Sequence, residues 1–156
     1  MSKKKKPYKD RGDLEKVQSQ WHKLTGLHGR EESSAAIVRA ATAAELAANF
    51  AIRTEFKSRS SFDGHVVNNF LKSANGLSGK MGRLLIPLTV EGTKLDTFKK
   101  LRPKSERISE MRNRIVHEGD FCNETEAGEI IEAAREFIET LVHVYEPKFK
   151  LRDQKS

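Results

Sequence analysis

Residues 35–52, AAIVRAATAAELAANFAI, form the longest apolar stretch of the chain and constrain the fold more than any other segment. The run is mostly alanine and carries Arg39 and Glu45. It therefore reads as the core helix of a globular domain and not as a membrane span. The predicted helix covers about 34–57, with Ser33 or Ser34 able to cap it.

Nearly every other segment shares the helical period. Leu14, Val17, Trp21 and Leu24 are spaced by three and four within 12–27, ahead of Gly26 and Gly29. A third helix starts near Ser61-Phe62, carries Val66, Val67, Phe70 and Leu71, and closes at Asn75-Gly76. A fourth spans about 78–90, with Pro87 expected to kink or end it. TKLDTFKKL can add a short helix. Pro103 suits the first turn of a helix running to His117 or Glu118, with Gly119 in the left-handed capping position. Asn123 and Glu126 have capping-box spacing for a last helix to about Tyr145, with Ile130, Ala134, Phe137, Ile138 and Leu141 inward. No strand signal and no internal repeat competes. The expected class is all-α, a bundle of five or six helices.

With 156 residues the chain is long enough for one domain with a core. Its single cysteine, Cys122, excludes an internal disulfide and a cysteine-based metal cage, and fits a cytoplasmic location. The start, MSKKKKPYKD, has no apolar run behind its lysines, so no signal peptide is expected. Residues 1–11 carry a net +5 and residues 148–156 a net +3, which leaves −1 for 12–147. Both ends are therefore expected to be basic tails, the first disordered, around a single domain over 12–147. The first tail is either a solvated arm or a loose phosphate contact. Inside the domain, 57–107 carries +7 and 108–147 carries −7. Either the middle segment attracts an anionic strand, with Lys57, Arg59, Lys80 and Arg83 among the possible RNA-backbone contacts, or the two halves attract each other across the fold.

SANGLSGKMGRLL resembles a phosphate loop only in its glycines. A Walker motif needs glycine at Ala74 and Ser or Thr at Met81. The five histidines form no i, i+4 pair, so no metal site is expected. On the helix from 103, Ile108, Met111, Ile115 and Val116 define a buried stripe, and Arg112 falls inside it. Asn113 and His117, four apart, share another face. A guanidinium on an apolar stripe needs an anion. Glu45, on the same stripe as Val38, Ile52 and Phe56, is one candidate; a phosphate in a cleft or at a subunit interface is the other.

Arg112-Asn113-x-x-x-His117, ending a helix and followed by EGD and an amphipathic helix, resembles the signature of HEPN domains, over about 33–145. The resemblance implies a HEPN-like bundle that dimerises so that two motifs face one cleft. Many such domains are metal-independent endoribonucleases of toxin–antitoxin, phage-defence or RNA-processing systems. Arg112 would then bind and polarise the phosphate, His117 would act as acid or base, and Asn113 would orient the site. Glu45 is added from helix geometry alone. The expected partners are RNA, a second copy of the chain and an antitoxin protein, with no cofactor and no membrane. The competing reading is a non-catalytic regulatory or nucleotide- or protein-binding module, of the mannitol-repressor type, in which Arg112 and His117 are structural. No ATPase, helicase or nucleotide-sensor segment of the kind found in larger members is read in this sequence.

Overall fold

The computed structural model describes residues 6–29, 32–74, 76–89 and 92–154. Among these residues the chain is all-α, with six helices and no strand. They are α1 (Asp13–Gly29), α2 (Ser33–Arg59), α3 (Gly64–Ser73), α4 (76–88), α5 (Thr93–Glu118) and α6 (Glu124–His143). A short 3-10 turn, Tyr8–Asp10, precedes them.

Helix α2 is the axis of the fold. Its buried positions include Ala36, Ala40, Ala43, Ala44, Ala47, Ala48, Ala51 and Ile52, which spread around much of its circumference because α1, α4, α5 and α6 pack on it from several sides. Alanine on these positions lets neighbouring backbones come close without voids. By length and composition α2 alone among the described helices could cross a membrane, but here it is buried in the core. Helix α1 contributes Val17, Trp21 and Leu24, and α6 contributes Ile130, Ala134, Phe137, Ile138 and Leu141, to the same cluster.

Several boundaries differ from expectation. Gly26 lies within α1, which ends at Gly29. Neither Ser33 nor Ser34 caps α2 through its side chain; Glu32 stands at the cap, and Ser34 Oγ instead accepts from the Cys122 amide at 3.3 Å. Helix α3 starts at Gly64, where Asp63 Oδ1 accepts the Val66 amide. Its expected closing residue, Asn75, lies outside the described residues, while Gly76 has φ 67°. Helix α4 combines a turn at Gly76–Gly79, a π-helical stretch at Lys80–Leu85 and a last turn at Ile86–Leu88. The widened stretch precedes Pro87, whose ring crowds the preceding turn and offers no amide hydrogen. Gly82 lies close under the Arg102 guanidinium: a Cβ there would sit 3.0 Å from Arg102 Nη2 and would push that side chain aside.

The two helices expected around Pro103 are one, α5, with the proline inside it. Phe98, Leu101, Ser105 and Ile108 continue one buried stripe across the proline. Pro103 and Lys99 face solvent, so water can serve the carbonyl left without a partner. Packing on both sides thus overrides the local break. Gly119 ends α5 in the left-handed conformation, φ 69° and ψ 19°. Asn123 and Glu126 form the capping box of α6.

Neither terminal segment lies free over its described residues. Leu151 is buried. Asp153 Oδ1 accepts from Trp21 Nε1 at 2.8 Å and from Arg135 Nη2 at 2.9 Å. Gln18 pairs with the Arg152 backbone in both directions, at 2.7 and 3.0 Å. Burial alone would raise the Asp153 carboxyl, but the Trp21 and Arg135 hydrogen bonds and the Arg135 charge outweigh it and hold the group below its ordinary range. At the other end Arg11 donates to Ser19 Oγ and Gln20 donates to the Tyr8 hydroxyl. The ordered fold therefore extends beyond 12–147 on both sides; residues 1–5 of the expected basic tail lie outside the described residues.

Candidate active site

Arg112, Asn113 and His117 all stand on the last two turns of α5. The outer end of this helix projects past its packing partners. Ile108 is fully buried, Met111 and Ile115 are half-buried, and Val116, expected in the buried stripe, is 46% exposed. Arg112 is half-buried as a result, while Asn113 and His117 are exposed.

Arg112 and Asn113 line a cleft of about 230 Å³ together with Glu45, Ala41, Ser78 and Ser109. Its floor is held by the Ser78 amide, which donates to Ser109 Oγ at 3.2 Å and ties α4 to α5. Arg112 Nη1 makes a long hydrogen bond, 3.4 Å, to Asn113 Oδ1, which turns the guanidinium toward the Asn113 face of the helix. Asn113 and His117 are about 40° apart around that helix and about 6 Å apart along it. His117 has no hydrogen-bond partner among the described residues and does not line the cleft.

The expected Glu45–Arg112 pair is not formed. Glu45 Oε1 receives Lys80 Nζ at 2.7 Å. Lys80 sits in the π-helical stretch with its side chain 8% exposed, so its ammonium needs a carboxylate more than the half-buried Arg112 does. Lys80, expected among the RNA-backbone contacts, is thus buried and paired and not presented to solvent. No local pattern could have revealed the pair, since its members are 35 residues apart.

The remaining expected backbone contacts are scattered. Ser34, at the start of α2, touches Cys122 just beyond the motif helix, whereas Glu55, near its end, meets Lys94 at the start of α5. Helices α2 and α5 are thus antiparallel. Lys57 and Arg59 lie at the end of α2 remote from His117, about 35 Å along the helix. Arg59 is also held by Glu55 at 2.8 Å. Arg83 is exposed on α4.

Glu55 anchors that remote end. It is 1% exposed and receives Lys94 Nζ and the Tyr145 hydroxyl, each at 2.7 Å, besides Arg59. Burial pushes its carboxyl up, but these three donors more than reverse that and hold it below the ordinary range. Burial and the Glu55 carboxylate push the Tyr145 phenol strongly up. Among the described residues no three His, Cys, Asp or Glu side chains converge as a metal-ligand set.

What fold and site define together is an all-α bundle with a polar cleft at the outer half of α5. No family model, curated protein or solved structure matches the chain.

Proposed function

We propose that the chain is a small HEPN-type endoribonuclease of the cytoplasm, metal-independent, acting on RNA as a homodimer. A toxin or defence role, with an antitoxin protein as regulator, is the setting such an activity would serve. The observation that carries the reading is Arg112. It is a half-buried guanidinium without a carboxylate partner among the described residues, at the mouth of a polar cleft, turned toward the face that presents His117. Arginine in that state favours a phosphate, which its planar fork can grip with two hydrogen bonds.

The chemistry follows from the side chains at hand. The ribose 2′-hydroxyl is the nucleophile nearest the phosphorus. As its oxygen bonds to phosphorus its proton passes to a base, the bond to the 5′-oxygen breaks, and that oxygen takes a proton from an acid. His117 can perform one transfer and the His117 of a second copy the other. Arg112 stabilises charge on the phosphoryl oxygens. The products are a 2′,3′-cyclic phosphate and a 5′-hydroxyl. A second copy would also cover Val116 and Phe121, which flank His117 and are 46% and 93% exposed.

A second reading, a non-catalytic regulatory module, is favoured by one observation: His117 lies outside the Arg112 cleft of its own chain. Incubation of RNA with wild-type protein and with His117→Ala in EDTA separates the two. Cleavage to cyclic phosphate ends that is lost in the variant supports the nuclease. Intact RNA with both proteins supports the module.

A further inference from the structure

The first and last described segments, far apart in sequence, meet along α1. They enclose an open groove of about 570 Å³ lined by Lys6, Arg11, Lys148, Lys150 and Arg152, with Glu15 as its one acid. Lys6 faces that acid at 4.0 Å. Among the described residues Arg11 donates only to neutral acceptors, Ser19 Oγ at 2.7 Å and the Lys6 carbonyl at 3.0 Å. Lys148, Lys150 and Arg152 make no ion pair among the described residues, and all three are exposed.

The charge is mounted on an ordered support. Along 148–152 exposure alternates: Phe149 and Leu151 turn toward the core, and the three cations turn outward. Lys148 lies in a turn closed by the Phe149 amide, which donates to the Glu146 carbonyl at 3.1 Å, and 149–154 continue without a helix or strand. Leu151, the Gln18–Arg152 pair and Asp153 hold the row in register. Half-buried Phe149 lies between Lys148 and Lys150 and adds an apolar part to the groove lining.

We propose that this groove binds the phosphate backbone of single-stranded RNA, without base preference. It lies on the face of α1 turned from α2, and those two helices separate it from the Arg112 cleft. The inference therefore stands apart from the nuclease reading: one concerns binding, the other cleavage.

The test is fluorescence anisotropy of the full chain with a labelled oligouridylate of roughly 12 nucleotides. Wild type is compared with Lys148→Ala/Lys150→Ala and with Lys99→Ala/Lys100→Ala, which removes the same charge from exposed positions on α5. All four side chains are exposed, and thermal melts confirm that each protein folds. The groove variant should lose about 1.4 from the slope of log binding constant against log salt. It should weaken oligouridylate and oligoadenylate alike, while the α5 variant keeps the wild-type slope. A groove variant with an unchanged slope, or an α5 variant that loses as much, overturns the proposal. So does a duplex of equal length bound as tightly, or stronger binding to phosphatidylserine vesicles than to RNA. His117→Ala should bind like wild type whether or not the wild type cleaves.

Discussion

Lys80 Nζ lies 2.7 Å from Glu45 Oε1, and this contact occupies the one carboxylate that lines the cleft beside it. Glu45 lines the same cleft as Arg112, yet its carboxylate is engaged from the α4 side. The guanidinium is left with only the Asn113 amide oxygen among the described residues. The pair thus supports α4 and at the same time leaves Arg112 open to an incoming anion.

The two ends of this pair should respond unequally to substitution. The Lys80 side chain is 8% exposed and that of Glu45 35%. Glu45→Ala strands a buried ammonium and should cost about 3 kcal/mol. Lys80→Met leaves a carboxylate that water can reach and keeps the packing, so about 1 kcal/mol is expected. Urea denaturation of both variants checks the order; equal losses would show that the pair is solvated.

His117→Ala should leave stability within about 0.5 kcal/mol, because the side chain is exposed. If the chain is the nuclease proposed above, its effect should fall on RNA cleavage, lowered about 10²- to 10⁴-fold. Arg112→Ala should likewise cost little stability, since no carboxylate among the described residues pairs with it, while on the same reading it abolishes cleavage. Single-turnover assays beside thermal melts separate these readouts.

Glu55 makes the fold acid-sensitive. Its folded carboxyl is held below the ordinary range, so the stability it contributes is complete at neutral pH. That contribution is lost as pH falls through the depressed folded value, a window opening below about pH 4. Glu55→Gln should cost about 3 kcal/mol at pH 7 and distinctly less near pH 3. Asp153, depressed by Trp21 and Arg135, adds to the same trend. Denaturant titrations at the two pH values measure the narrowing.

Removing residues 148–156 should destabilise the domain, although the composition of the segment suggests a dispensable tail. Burial of Leu151 contributes about 2 kcal/mol, and the Asp153 and Gln18 hydrogen bonds about 1 kcal/mol more. The melting temperature should fall by about 10 °C. An unchanged melt would mean that the segment packs without contributing stability.

Substitution of Phe121 by Asp should leave the monomer fold intact, since the ring is 93% exposed. If a second copy covers the face around His117, light scattering should show wild-type dimer and variant monomer, with cleavage lost in parallel. Monomer for both proteins at micromolar concentration removes the composite site.

The amino-acid sequence alone determined what depends on near neighbours. The alanine-rich run required a central helix, the three-and-four spacing of Val17, Trp21 and Leu24 required a packed face, and Asn123 with Glu126 specified a cap. These are interactions between residues within a turn of one another, so their energies are set before the chain folds. The Arg112-Asn113-x-x-x-His117 spacing was legible for the same reason. Tertiary structure decided the rest. Pro103 reads locally as a beginning, yet α5 passes through it because Leu101 and Ser105 are buried on either side. Glu45 reads as a partner for Arg112, yet Lys80 takes it because α4 carries that lysine into the core. The two basic ends read as tails, yet each lies against α1 over its described residues. Which charge meets which, and which face stays in water, depends on contacts between residues distant in sequence, and no periodicity within a single helix encodes them.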